Sequence, residues 1–378
     1  MRARRQPERA HRFWVASVAE HINDPLLRLR FLKAAAPPFA SHRSRRILRV
    51  LIPSLGVAAV LLAVLLLAAA TRLPPLSLPP AALKPKSANP AIIGTPSPVW
   101  LVERSGTSET YSNGLRIDNR YVVSNHARSY LAFPKDVSQS AGPVQRSNPV
   151  GIVFHSSESQ QFPFEASENG LLKRTGESLL EYVRRRRAYH FVVDRFGRVF
   201  RLVNETDAAD HCGYSVWADD RWVYLELNES FLGVAFEAQT QAAQAEASLN
   251  PGQLRSGSML VEMLRSRYSI PESNCVTHAQ VSVNPDNMRL GYHTDWASGF
   301  PFEKLELPAN YELLLPSVVE FGFEADPAFL EAAAPQLRDA AARSEEQLRH
   351  RAAAAQVKMP PYVKALRKRY HGLLAESR

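Results

Sequence analysis

The chain has 378 residues, 45% of them hydrophobic and 22% charged, enough for a sizeable core and more than one domain. Its formal net charge of +9 sits wholly in residues 1–50, where twelve Lys or Arg face only Glu8, Glu20 and Asp24; the remainder carries 34 of each sign. That balance excludes a general nucleic-acid-binding surface, whose basic footprint has to lie on the folded domain.

Residues 1–46 form a basic arm in which Phe13, Trp14, Val18, Ile22, Leu26, Leu29 and Leu32 recur at roughly helical spacing. Two readings stand: a helix lying on an anionic inner leaflet or against a cytoplasmic partner, and a loosely ordered tail that only sets topology. The next segment is a run of 22 uncharged residues from Val50 to Thr71, mostly Leu, Ala and Val. As a helix it would span roughly 30 Å, the thickness of a bilayer core. Arg45, Arg46 and Arg49 flank one side and Arg72 alone the other, so the expectation is a single-pass helix over 47–71 in the inner (cytoplasmic) membrane. The N-terminus would be cytoplasmic and the rest periplasmic or extracellular. A cleaved signal peptide is the rival, because Ala68-Ala69-Ala70 resembles a cleavage site, but the preceding stretch is long for a signal n-region.

Residues 72–98 read as a linker, with eight prolines between Leu73 and Val99. Proline fixes φ and removes a donor, so this stretch should be extended and semi-rigid.

The globular part is placed at 99–310. Trp100–Glu103 and Tyr111–Asp118 read as short strands, with Ser112-Asn113-Gly114 supplying a turn. Val150–His155 is a continuous apolar run ending in histidine, as for a central strand that delivers a side chain to its end. Leu171–Arg187 reads as a helix; Tyr189–Asp194 and Val199–Val203 read as a strand pair around Arg195-Phe196-Gly197. Leu232–Glu237 is a further buried strand, with Glu237 buried against a structural partner. Asn250 and Pro251 suit the N-cap and first position of a helix that runs to about Tyr268. Cys275-Val276-Thr277-His278 then brings a second strand-end histidine. Alternating strands and helices imply an α/β fold with a mixed central sheet flanked by helices. Past it, residues 311–378 read as a helical extension, Ala-rich and charged over 327–355, basic and amphipathic over 361–374.

The ordered set His155, Tyr189-His190-Phe191-Val192-Val193-Asp194-Arg195-Phe196-Gly197, His211, Gly233–Glu237, Thr277-His278 and His293-Thr294-Asp295 resembles the zinc-dependent N-acetylmuramoyl-L-alanine amidases. That superfamily includes the phage lysozyme amidases and the peptidoglycan recognition proteins, and the resemblance covers roughly 150–302. It implies an amidase or peptidoglycan-recognition-like fold and one zinc ion per chain, held by His155, His278 and Asp295. Two imidazoles and a carboxylate, with a fourth position open to water, are an established catalytic zinc set. The resemblance also gives Tyr189 and His293 catalytic roles as donors to the developing oxyanion. The cytosolic recycling branch carries a glutamate where this sequence has Ala235. It assigns His211, Tyr214, Trp217 and Asn228 to a substrate wall, with Trp222 nearby. The implied activity is hydrolysis of the amide between N-acetylmuramic acid and L-alanine, on peptidoglycan or on smaller muropeptides. The alternative is a membrane-anchored scaffold that binds peptidoglycan on the same fold without hydrolysis. The implied partners are that substrate and the membrane, with no nucleic acid. The two cysteines, Cys212 and Cys275, permit one disulfide in an oxidising compartment.

Overall fold

The computed structural model describes residues 97–136, 142–240 and 249–378. The basic arm, the apolar segment 47–71 and nearly all of the linker lie outside them; among the described residues no helix is long and apolar enough to cross a membrane.

Strands β1 (Leu101–Ser105), β2 (Ser108–Tyr111) and β3 (Arg116–Asp118) form an antiparallel meander. The segment expected to be one strand from Tyr111 to Asp118 is therefore two strand ends around the Ser112–Gly114 turn, and β2 begins earlier. Gly106 (φ +57°) turns the first hairpin. β4 (Tyr130–Pro134) and β5 (Val144–Arg146) belong to a second, four-stranded sheet. β6 (Gly151–Ser156) is the central strand ending in His155, and the helix α1 (Asn169–Arg186) follows, stopped by Arg187 in a left-handed conformation. β7 (Phe191–Val193) and β8 (Val199–Arg201) are the expected pair, shorter than read, so that Tyr189 and His190 precede the strand. β9 (Val216–Ala218) and β10 (Trp222–Leu225) complete the second sheet, in the order β5-β4-β10-β9. β11 (Phe231–Phe236), α2 (Pro251–Tyr268) and β12 (Cys275–Thr277) return to the first sheet. α2 starts as its sequence dictates: Asn250 Oδ1 accepts from the Gln253 N–H, Gln253 returns a bond to Asn250 N, and Pro251 occupies the first turn.

The first sheet has eight strands in the order β1-β2-β3-β8-β7-β11-β6-β12. Its centre, β7-β11-β6-β12, is parallel. Every residue of β6 and β11 is buried, as parallel strands covered on both faces require. Ile152, Phe154, Leu232, Val234 and Phe236 face a core shared with Leu260, Val261 and Leu264 of α2. On the other face Val192, Phe200 and Ala235 meet Leu179, Leu180 and Val183 of α1. Val153 and Val276 there meet Tyr130, Trp217 and Tyr224 of the second sheet. The 194–198 turn needs Gly197 (φ +74°), because a Cβ would fall 2.6 Å from the Gly252 backbone.

The C-terminal segment runs through α3 (His278–Val281), the short strands β13 (Val283–Asn284) and β14 (Arg289–Leu290), and α4 (Pro316–Phe321). β15 (Glu324–Ala325), α5 (Pro327–Ala332), α6 (Pro335–Ala354) and α7 (Met359–Glu376) follow. Pro335 divides the Ala-rich helix read over 327–355 into two. Leu337, Ala341, Tyr370 and Leu374 belong to the same core as the central sheet, so the extension docks on the domain rather than standing off it.

Candidate metal centre

The parallel register of β6 and β12 brings the two strand-end histidines together. Thr277 pairs with Phe154, so the next residue on each strand, His278 and His155, emerges side by side with ring centroids 4.5 Å apart. His278 opens the short helix α3, whose N-cap is Thr277, boxed with Gln280. Asp295 reaches them from the loop after β14. Its carbonyl accepts from Ala279 N at 3.3 Å, and the next residue, Trp296, is buried in a left-handed conformation (φ +56°). Asp295 Oδ1 lies 2.8 Å from His278 Nδ1 and Oδ2 lies 3.4 Å from His155 Nδ1.

These positions fit a metal. Ligand atoms at tetrahedral corners about 2.1 Å from zinc are about 3.4 Å apart. The three donors lie within 4.8 Å of one another, all with partly or fully buried side chains. The far nitrogen of each imidazole is also occupied: His278 Nε2 faces the Cys212 carbonyl at 3.4 Å and His155 Nε2 faces His211 Nδ1 at 3.1 Å. Both Nδ1 atoms therefore face Asp295, the side on which a shared metal would be held.

Burial sets much of the electrostatics. It pushes His155 down to about 4, helped by the neighbouring His278 and opposed by Asp295. Burial alone would raise Asp295, but His278 and His155 outweigh it and hold the carboxyl far below the usual range. Both directions favour the unprotonated ligand forms. A second grouping, His155, His211 and Cys212, is fully buried. It lacks a carboxylate, and burial raises its thiol well above the ordinary value, which disfavours the thiolate that a metal needs.

Tyr189 lies beside His155, ring centroids 5.0 Å apart, with its hydroxyl kept protonated chiefly by burial. His293 stacks on His278 at 4.6 Å and 21°. The two donor candidates thus flank the two imidazoles.

The proposed substrate wall is largely internal. Trp217 is 2% exposed and its indole N–H donates to Asn274 Oδ1 at 3.1 Å, so it is a core residue between the two sheets rather than a groove residue. Asn228 spends its side-chain oxygen on the backbone N–H groups of His211 and Cys212, at 3.0 and 2.7 Å. His211 is 7% exposed and turned to His155. Of the four residues only Tyr214 is exposed, and the Arg378 guanidinium lies 5.2 Å from its ring centroid. Trp222 is half-buried and carries Arg146 at 4.5 Å. The permitted disulfide is not formed; both thiols are free and buried. Cys212 packs on the second-sheet side of the central sheet and Cys275 on the α2 side, which keeps them apart. Glu237 is structural as expected, accepting from Arg195 N at 2.9 Å.

Sequence reasoning missed Arg128 and His190. Arg128, 2% exposed, donates to the carbonyls of Glu205, Asp207, Glu229 and Phe231 and meets His190 Nε2 at 2.8 Å. Burial pulls its guanidinium down to about 10, opposed by the nearby Tyr130, Glu229 and Glu205. His190 accepts from Gly233 N at its Nδ1 and lies 3.0 Å from Asp207 O through Nε2. Nothing local marks Arg128; its role depends on carbonyls from loops far along the chain.

A family-wide sequence profile described as N-acetylmuramoyl-L-alanine amidase matches residues 145–295, which span the trio. No curated protein sequence matches the chain. Among solved structures, the N-acetylmuramyl-L-alanine amidase AmiD from E. coli is 21% identical over 45% of this chain and 61% of its own, with a TM-score of 0.32. This chain therefore spans about three-fifths of AmiD. The amidase LysC from Clostridium intestinale is 20% identical, covering 42% of this chain and 83% of its own, TM-score 0.26. Drosophila PGRP-LB is 10% identical, covering 43% and 85%, TM-score 0.27. Residues 145–295 of the chain are thus similar to the N-acetylmuramoyl-L-alanine amidases.

Proposed function

We propose that this protein is a zinc-dependent hydrolase of the amide between N-acetylmuramic acid and L-alanine in peptidoglycan. The observation that carries the reading is the meeting of His155, His278 and Asp295, with donor atoms 2.8 and 3.4 Å apart, at the ends of adjacent parallel strands. Zinc, when bound, supplies Lewis acidity to the scissile carbonyl and lowers the pKa of water. The chain's own residues do the rest. Tyr189, held as a neutral phenol, donates its hydroxyl proton toward the carbonyl oxygen as negative charge develops there. His293 supplies a second N–H donor from the His278 side. A water oxygen bonds to the lactyl carbonyl carbon, the C–N bond breaks, and one proton of that water passes to the leaving nitrogen, which departs as the free amino terminus of L-alanine. No Ser or Cys nucleophile is invoked, in keeping with a Cys212 thiol that burial keeps protonated.

The apolar segment 47–71 is proposed to anchor the chain in the inner membrane, with the amidase domain outside the cytoplasm. Protease protection of tagged termini in spheroplasts tests that placement.

For the activity, the purified full chain is assayed for zinc and incubated with intact sacculi and with soluble muropeptides. The expected result is about one zinc per chain and stem peptides with free L-alanine amino termini, both lost in Asp295→Ala. Binding to sacculi without release of stems, unchanged in Asp295→Ala, would establish the scaffold reading instead.

A further inference from the structure

His211 entered as a substrate-wall residue, yet it is buried and touches a ligand. We propose that His211 is a positioning residue for the metal centre, holding the Nε2–H of His155 so that only Nδ1 faces Asp295. The inference rests on the metal-centre reading above.

The proton order follows from the one partner whose polarity is not free. His211 Nε2 lies 3.3 Å from the carbonyl oxygen of Phe231, which only accepts. His211 Nε2 therefore carries hydrogen. A neutral imidazole has one N–H, so His211 Nδ1 is an acceptor, and the partner 3.1 Å away, His155 Nε2, must donate to it. That places the lone pair of His155 on Nδ1, 3.4 Å from Asp295 Oδ2. The reverse order would leave Phe231 O without the imidazole donor and put a proton between His155 and Asp295, where the metal belongs. His211 is 7% exposed and its ring nitrogens face only the Phe231 carbonyl and the His155 imidazole, with no carboxylate to balance a second proton, so the neutral ring is the form this site accommodates.

The rest of the surroundings hold His211 in that pose. Asn228 Oδ1 takes its backbone N–H and that of Cys212. Arg128 Nη1 donates to the same Phe231 carbonyl at 3.3 Å, fixing the acceptor at the end of the relay. Gly233 of β11 lies beneath the ring, where an added Cβ would fall 2.7 Å from His211 Cγ. A side chain 7% exposed and gripped on these sides offers little edge to a substrate. The same Cys212 whose amide Asn228 holds presents its carbonyl to His278 Nε2 at 3.4 Å. One loop thus sets the outer nitrogen of both ligating imidazoles.

The test reads tautomers and metal affinity, neither of which depends on turnover. In long-range 1H–15N spectra of the histidine-labelled full chain, His155 is expected as the Nε2–H tautomer both without zinc and with it. An Nδ1–H tautomer in the zinc-free chain overturns the proposal. Zinc affinity is then measured by competition with a chromophoric chelator for His211→Leu, which keeps bulk but accepts no bond, and His211→Asn, whose amide oxygen restores an acceptor near Nδ1. The leucine variant should bind zinc about 10- to 100-fold more weakly, while the asparagine variant stays close to the parent. Parent-like affinity in the leucine variant, or equal weakening in both, overturns the positioning role. Should His211→Leu fail to fold, the parent's tautomer decides alone. Failure of the parent to bind zinc removes the metal-centre reading, while the zinc-free tautomer still reports on the His155–His211 order.

Discussion

Gly233→Ala perturbs the centre without changing any group that touches metal or substrate. The new Cβ would lie 2.7 Å from His211 Cγ, 2.9 Å from its Cβ and 3.0 Å from Cδ2, all short of ordinary van der Waals contact at 3.4 Å. The nearest atom must retreat by about 0.7 Å, in a ring packed on every side. Such overpacking costs about 1–3 kcal/mol. The same retreat takes His211 Nδ1 from its 3.1 Å contact with His155 Nε2 toward the limit of a hydrogen bond. Two signals should therefore move together. Thermal denaturation of the zinc-free chain should show the loss of stability, a Tm drop of about 2–4 °C per kcal/mol for an ordered region of this size. Chelator competition should show weaker zinc binding. Gly176→Ala in α1 is the control: its Cβ meets only Glu237 Oε2 at 3.6 Å, and helix propensity favours alanine by about 1 kcal/mol. A Gly233→Ala chain as stable as its parent, with zinc affinity unchanged, would refute the packing of His211 over the glycine.

Tyr189→Phe should lower kcat about 100-fold or more while zinc content stays at the parental level, since the phenol donates to the oxyanion and does not ligate; a kcat within a few-fold of the parent removes that role. Trp217→Phe should cost about 1–3 kcal/mol, because a buried bond to Asn274 and packing volume are lost, and should leave KM unchanged; a raised KM at constant stability would return Trp217 to the groove. The zinc-free chain should lose stability as pH falls from 6.5 toward 4. Burial depresses His155 to about 4 and holds His190 and His211 well below the ordinary histidine value, so the unfolded chain takes up protons that the folded chain refuses. Each such group contributes about 1.4 kcal/mol per pH unit within that window. Urea midpoints at pH 7.5, 6 and 5 measure the slope, and a flat profile contradicts neutral buried imidazoles.

Much of the architecture could be read along the chain because its causes are local. The apolar run into His155 is a strand buried on both faces, and Asn250-Pro251 with Gln253 caps a helix in its own sequence. The proposed metal trio was legible as an ordered set of residue types, and the register of β6 with β12 brings two of them together. What the chain order could not decide is which side of a loop faces inward. Trp217, Asn228 and His211 sit in or near one polar, aromatic stretch that reads as a groove wall. His211 is buried against His155, Phe231 and Gly233, and Trp217 between the two sheets with its indole on Asn274, while Asn228 turns its side-chain oxygen to the His211 and Cys212 backbone; those contacts come mostly from segments distant in sequence. The two cysteines show the same limit: an even count permits a bond, whereas β12 sends Cys275 to the α2 face and the loop before β9 packs Cys212 on the other face. Local pattern thus determines which elements form and which residue types can bind metal. Tertiary packing alone decides which nitrogen of each histidine points at it, because the fixed carbonyls of Phe231 and Cys212 reach those rings only in the folded chain.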